Sequence, residues 1–244
     1  MSGRKIIILG ARSDIAMACA HEFAAAGDAV TLAARRIETL EADARDLELR
    51  YGGTVALRAF DALDVEGHED FVGAGALPDV VICAVGLLGD QTADERDTDA
   101  SVRVLRTNFE GPALALAAYA NAMEARGSGV IVGISSVAGD RGRATNYIYG
   151  SAKAGFTAFL SGLRNRLAGR GVHVVTVKPG FVATRMTEHL DLPEKLTAAP
   201  AEVGRAVLKA VEKGRDVIYV RALWRMVMGL IRLIPERVFK KLSI

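Results

Sequence analysis

The chain has 244 residues, half of them hydrophobic and 25% charged, with a formal net charge of +2. Such a length and apolar content suit one large α/β domain with a full core, and the near-balanced charge argues against nucleic acid as the main partner. Cys19 and Cys83 lie far apart inside apolar runs, which points to buried, inert thiols and not to a redox or metal pair; no metal site is expected. The opening "MSGRKIIILG" stops being apolar at Gly10, too soon for a signal sequence or a membrane span, so a cytoplasmic protein is expected.

In chain order, short apolar runs alternate with helical patterns. The strand candidates are "KIIIL", "AVTLAA", "TVALRAF", "DVVICAV", "GVIVGIS", "VHVVTVK" and "DVIYV". Between them fall "DIAMACAHEFAAAG", "IETLEADARDLELR", "EGHEDFVGAGA", "LALAAYANAMEA", "AKAGFTAFLSGLRNRLA" and "AEVGRAVLKAVEKG". Continuous apolar strands separated by helices predict a parallel sheet covered on both faces, a doubly wound α/β fold of seven strands. Residues 1–221 read as one Rossmann-like unit with no internal repeat or linker, and 222–244 as a helical tail of the same domain. The weakly patterned "ATRMTEHLDLPEKLTAAP" is a candidate lid.

The first strand runs into "GARSDIA". Gly10 ends it, and Ser13 or Asp14 can cap the following helix, so free N–H groups and the helix dipole make an anion site. The second strand ends in "LAARR". A dinucleotide-binding fold presents the adenosine ribose there, and Arg35 and Arg36 suit a 2′-phosphate better than a bare 2′-hydroxyl, which favours NADP over NAD. The competing reading makes both arginines solvated residues at a helix start.

Further on stands "YGSAK", with Tyr149 four residues before Lys153, on one helix face. It belongs to the longer "GISSVAGDRGRATNYIYGSAKAG", in which Ser136 ends a strand thirteen residues before Tyr149. This constellation resembles the active-site signature of the short-chain dehydrogenase/reductase family, and the likeness runs through nearly the whole chain. It implies a catalytic set of Ser136, Tyr149 and Lys153 with Asn108 of "RTNFEGP". It also implies nucleotide contacts at Gly10, Arg12, Ser13, Asp14, Ile15, Arg35, Arg36, Asp61, Ala62, Ala84 and Gly86, with Tyr149 and Lys153 contributing. Pro179, Gly180, Val182 and Thr184 of "KPGFVATRM" match the segment that holds the nicotinamide carboxamide. Two departures stand out: the usual three-glycine turn reads Gly10, Asp14, Ala16, and the usual Asn-Asn-Ala-Gly after the fourth strand reads "CAVG". Gly86 still lets the backbone pass close to a ribose.

Carbonyl reduction needs a hydride donor and a proton donor near the oxygen. An ordinary phenol, with a pKa of about 10, is a weak acid–base group at neutral pH. A neighbouring ammonium, together with the positive nicotinamide of an oxidised cofactor, lowers that value, the part expected of Lys153, while Ser136 can hydrogen-bond the developing oxyanion and Asn108 can hold a water joining Lys153 to solvent. Taken singly, Tyr149 reads equally as an interface tyrosine, Lys153 as a solvated residue, Ser136 as a turn former and Asn108 as a helix-kink side chain. All four at this spacing, beside a nucleotide turn, favour catalysis. Tyr147 is six residues from Lys153, on another face.

The tail from Arg221 carries six basic residues against Glu236. At helical spacing Arg221, Arg225 and Arg232 share one face, opposite Leu223, Met226, Val227, Leu230, Ile231, Leu233 and Ile234. Pro235 then starts a second short helix with Arg237, Lys240 and Lys241. A basic amphipathic helix bearing Trp224 suits an anionic membrane surface; the alternative is packing on the core or on a second subunit. The ending "IPERVFKKLSI", with the altered glycine turn, resembles the family branch that contains the decaprenylphosphoryl-2-keto-pentofuranose reductases. That implies a lipid-linked or hydrophobic keto substrate and peripheral placement at the inner membrane face. A soluble reductase of 3-oxoacyl or small keto substrates and a non-catalytic nucleotide-sensing protein are the alternatives. A homo-oligomer is expected.

Overall fold

The computed structural model describes residues 3–242; Ser243 and Ile244 of the expected tail, and Met1 and Ser2 of the expected first unit, lie outside the described residues. The strands are β1 (Lys5–Leu9), β2 (Ala29–Ala34), β3 (Val55–Ala59), β4 (Val80–Cys83), β5 (Gly129–Ile134), β6 (Val172–Pro179), β7 (Phe181–Val182), β8 (Thr197–Ala198) and β9 (Val217–Val220). The helices are α1 (Asp14–Ala25), α2 (Glu41–Tyr51), α3 (His68–Gly73), α4 (Gln91–Asp94), α5 (Thr98–Leu105), α6 (Gly111–Arg126), α7 (Tyr147–Leu167), α8 (Pro200–Glu212), α9 (Leu223–Leu233) and α10 (Glu236–Phe239).

Seven strands form one parallel sheet in the order β3-β2-β1-β4-β5-β6-β9. Each matches one of the seven apolar runs. Strands buried on both faces need apolar side chains in both directions, and Ile6, Ile7, Ile8 and Leu9 show the result: the even-numbered pair joins the core under α1 and α8, while Ile7 and Leu9 join the core under α6 and α7. Gly204 permits the close approach of α8 to α1, since a Cβ there would stand 2.5 Å from the Ala18 carbonyl oxygen. The strand order reverses between β1 and β4, so a crevice opens beyond their carboxyl ends, where Gly10 and Ala84 lie.

Three features differ from the sequence reading. α5 forms in the polar "TDASVRVL", because Asp97 caps it by accepting from the Asp99 and Ala100 N–H groups. The candidate lid segment contains β8, which pairs with β7 just before the segment in a second, two-stranded sheet. In the tail, Trp224 is 4% exposed and Met228 1%, packing with Val137 and with partly buried Phe181, Val227 and Ile231. Trp224 is therefore not a membrane-surface tryptophan: its indole donates to the Leu196 carbonyl at 3.2 Å and meets Phe181 edge-on at 5.3 Å. Nor does Arg221 join the basic face, because it precedes α9 and is paired with Glu202 at 3.0 Å. The expected single apolar face divides. Val227 and Ile231 pack inward, whereas Leu223, Met226, Leu230 and Leu233 are 45%, 65%, 68% and 79% exposed. No helix among the described residues is long and apolar enough to cross a membrane.

Candidate active site

The crevice holds two cavities. One, of about 380 Å³, is lined by Gly10, Arg12, Ser13, Asp14, Ile15, Arg35, Asp61, Ala62, Ala84, Gly86 and Thr184 among others. The second, of about 570 Å³, is lined by Ser136, Tyr149, Lys153, Pro179, Gly180, Val182 and Thr184. Ser13, Ile15, Ala84, Gly86 and Thr184 border both, so the two form one cleft. The structure thus brings together every expected contact residue except two. Arg36 lines neither cavity; it opens the 3-10 turn after β2, where its carbonyl accepts from the Thr39 hydroxyl at 2.7 Å. Asn108 is fully buried behind Gly86.

Gly10 has φ +81°, and a Cβ on it would stand 2.9 Å from Val85 N, so only glycine makes this turn. Ser13 occupies the N-cap position of α1 but its side chain makes no capping bond. The helix N-terminus is left with donors aimed at the smaller cavity, which fits a pyrophosphate. Asp14 is the first helical residue, and its carboxylate is taken by Arg185 of the candidate lid segment: Nε donates to Oδ1 at 2.8 Å and the backbone N–H to Oδ2 at 2.7 Å. A negative charge where the family keeps glycine is thereby balanced within the chain. At the ribose end, Arg35 borders the cavity, and Arg103 of α5 does so as well.

Asn108 sits in a π-helical turn, Arg106–Glu110, joining α5 to α6. Its Nδ2 donates to the Leu87 carbonyl at 2.6 Å and the Val104 carbonyl at 2.8 Å, and its Oδ1 accepts from Leu87 N–H at 3.2 Å. The wider turn that aims this side chain at Gly86 realises the kink and the site position together. A Cβ on Gly86 would stand 3.1 Å from Asn108 Oδ1 and 3.5 Å from Lys153 Nζ, so glycine keeps that space open.

Tyr149 and Lys153 occupy the start of α7, one turn apart. Lys153 Nζ donates to the Ile134 carbonyl at 3.1 Å and lies 5.7 Å from the centroid of the Tyr149 ring. Burial pushes the Tyr149 phenol up to about 12, against the opposing effect of a hydrogen bond with Ser136. Burial also lowers the Lys153 ammonium to about 8, with Cys83 opposing. In the protein alone burial dominates the phenol, with the Ser136 hydrogen bond as the opposing influence. Ser136 caps the short turn after β5, its Oγ accepting from Ala138 N–H at 3.1 Å. Tyr147 is 45% exposed and its hydroxyl donates to Glu95, away from this group.

Sequence reasoning missed several polar lining residues, Arg103 of α5 among them. Arg143 and Asn146 lie inside the stretch quoted for its Ser and Tyr, while Arg185 lies within the lid pattern. Gln91, at the start of α4, follows a capping Asp90 that was available as a signal.

A doubly wound sheet with a glycine turn at its switch point and a Ser-Tyr-Lys group on the same cleft defines a dinucleotide-dependent oxidoreductase. The short chain dehydrogenase family model matches residues 4–195. An uncharacterized oxidoreductase of Streptomyces coelicolor is 37% identical over 245 residues, covering 99% of this chain and 96% of the relative. One of Mycobacterium tuberculosis is 37% identical over 244 residues, covering 97% and 96%. Among solved structures, a short-chain dehydrogenase from Sphingobium yanoikuyae in complex with NADPH shares the fold with a TM-score of 0.82 at 24% identity, covering 96% of this chain and 97% of that one. A 3-oxoacyl-[acyl-carrier protein] reductase from Brucella melitensis in complex with NAD aligns with a TM-score of 0.78 at 26% identity, covering 90% and 96%. The chain belongs to the short-chain dehydrogenase/reductase family, and it is an NAD(P)-dependent dehydrogenase/reductase.

Proposed function

We propose that the protein interconverts a ketone and a secondary alcohol, with NADP(H) as its preferred cofactor. The observation that carries this reading is the placement of Ser136, Tyr149 and Lys153 on one cavity that runs into the glycine turn. The nicotinamide, when bound, supplies the hydride for reduction and, once oxidised, a positive charge beside the phenol. Tyr149 gives its phenolic proton to the carbonyl oxygen, a role in which a protonated group is needed at working pH. Ser136 donates a hydrogen bond to the same oxygen as charge develops on it. Lys153 supplies positive charge near the phenol and holds the nicotinamide ribose. Asn108, tied to the Leu87 backbone, fixes the floor of the site and holds a water joining Lys153 to solvent.

Gly10, Ser13 and the first turn of α1 receive the pyrophosphate; Asp61 and Ala62 border the adenine and Ala84 and Gly86 the ribose. Arg35 meets the 2′-phosphate, which is the ground for preferring NADP. Val182 and Thr184 hold the carboxamide together with Pro179 and Gly180. Purified protein oxidising NADPH over a panel of ketones tests the reading; cofactor binding without turnover on any ketone would favour a nucleotide-sensing protein.

The exposed row Leu223, Met226, Leu230 and Leu233 supports a second level of the proposal, contact with a membrane surface and a lipid-linked keto substrate. Arg225, Arg232, Arg237, Lys240 and Lys241 form no ion pairs among the described residues and are free to meet anionic lipid. The C-terminal end of α9 is anchored, since Arg141 donates to the Ile231 and Ile234 carbonyls at 2.6 Å and stacks on Phe239. We regard residues 222–244 as part of the same domain as 1–221, and the protein as a homo-oligomer.

A further inference from the structure

Besides the reacting group, the larger cavity is lined by Gln91, Arg143 and Asn146. Arg143 Nε, Gln91 Nε2 and Asn146 Oδ1 are each sealed from solvent and have no hydrogen-bond partner among the described residues. Buried polar atoms are almost always partnered, and these three belong to side chains that line one cavity, so a bound molecule toward which they turn can supply the partners. Gln91 is oriented by the fold: its Oε1 accepts from Ile148 N–H at 3.1 Å, at the start of the helix that bears Tyr149. A backbone N–H can only meet an oxygen, so the end left over is the amide donor.

Arg143 has no ion pair among the described residues. The two carboxylates on the same cavity are committed elsewhere. Asp90 Oδ1 accepts from Thr92 and Ala93 N–H groups, and Asp94 Oδ2 accepts from Asp90 N–H. Burial alone lowers the Arg143 guanidinium from its ordinary range, with no carboxylate opposing. A guanidinium always carries its charge, and holding that charge half-buried without a counter-ion costs stability unless something else supplies one.

We propose that Arg143, Gln91 and Asn146 form a subsite for an oxyanion of the substrate, making that substrate a hydroxyl-bearing ketone with a phosphate or carboxylate. The proposal rests on the reading of Ser136, Tyr149 and Lys153 as the reacting centre. The guanidinium fork matches the oxygens of either anion in a bidentate way. Gln91 adds a neutral donor to the same group. Asn146 Oδ1 is an acceptor and suits a neighbouring hydroxyl. The subsite discriminates against neutral ketones, because they would leave the same buried atoms unpartnered.

The test uses the full-length protein saturated with NADP⁺, whose binding is measured first by calorimetry. Inorganic phosphate and acetate are then titrated separately into the wild type, Arg143→Met and, as a control remote from the site, Arg170→Met. At least one anion is expected to bind the wild type and the control, and to bind Arg143→Met at least tenfold more weakly. Phosphate alone binding assigns a phosphoryl group, and acetate alone a carboxylate. Arg143→Met is also expected to melt no lower than the wild type, since it removes an unpaired charge; a lower melting temperature would mean a structural role and overturn the proposal. Equal anion affinity in wild type and Arg143→Met, or no binding to either, overturns it too. If NADP⁺ itself does not bind, the oxidoreductase reading has failed, and the same comparison on the protein alone still decides for or against the Arg143 subsite.

Discussion

Arg185 clasps Asp14 across 171 residues of sequence, its Nε 2.8 Å from Oδ1 and its backbone N–H 2.7 Å from Oδ2. The same guanidinium reaches the Arg12 carbonyl at 2.6 Å, so the candidate lid segment is tied to the glycine turn and the start of α1 by three bonds. Arg185→Ala is expected to weaken NADPH binding severalfold, because it leaves the Asp14 carboxylate uncompensated where the pyrophosphate arrives. Asp14→Gly is expected to tighten it. The pair is partly exposed, so a double-mutant cycle read by cofactor fluorescence should give a coupling of about 0.2–1 kcal/mol. Strict additivity would mean that the clasp and the cofactor do not communicate.

Tyr149→Phe is expected to abolish turnover and spare cofactor binding, because it deletes the proton donor with little change in packing. Tyr147→Phe, which alters only an exposed contact with Glu95, should be mild. Steady-state rates with calorimetric NADPH affinities check both, and near-normal turnover in Tyr149→Phe would falsify the catalytic assignment.

If Arg35 meets the 2′-phosphate, Arg35→Asp turns a charge-assisted contact into a repulsion and should weaken NADPH strongly while sparing NADH. Arg36→Asp should act weakly, since Arg36 lies outside the cavity. Equal affinity of the wild type for the two cofactors would remove the basis for NADP preference.

With Lys153 lowered to about 8 and Tyr149 raised to about 12, the phenol keeps its proton through the working range while the ammonium loses its own. For reduction, kcat/KM is therefore expected to fall as pH rises through about 8. Linkage has the opposite sign: the buried ammonium costs stability below about 8, and that cost fades as pH rises towards the ordinary lysine value. A pH–rate profile checks the first effect and the second is read from melting temperatures of wild type and Lys153→Met. A flat profile between pH 7 and 9 would contradict the assignment.

The tail separates into a packed and an exposed row, and the two can be tested apart. Trp224→Ala should cost about 3–5 kcal/mol of stability, because it empties the space beside Gly180, where a Cβ would stand 1.9 Å from the indole nitrogen. Truncation before residue 222 should destabilise for the same reason. Replacing Met226, Leu230 and Leu233 by Gln should leave the melting temperature nearly unchanged and abolish sedimentation with anionic liposomes. Salt should weaken that sedimentation in the wild type. Wild-type protein that never sediments would show that the exposed row serves another contact.

The local pattern determined the seven strands, the helices that cover them, and the positions of Gly10, Ser136, Tyr149 and Lys153. Each depends on periodicity or on a fixed spacing along one helix or at one strand end, and short-range geometry carries such relations into the fold. Asn108 was legible as a residue, but its π-turn was not, because one extra backbone residue per turn leaves no mark in hydrophobic spacing. Tertiary structure alone decided the rest. The spacing that put Val227 and Leu230 on one face could not say which apolar residues would meet Phe181 and Val137 and which would stay in water. The same holds for Asp14 with Arg185 and for Gln91 with the Ile148 N–H. These partners are distant in sequence, and a charge or an amide acquires its meaning only from what folding sets next to it.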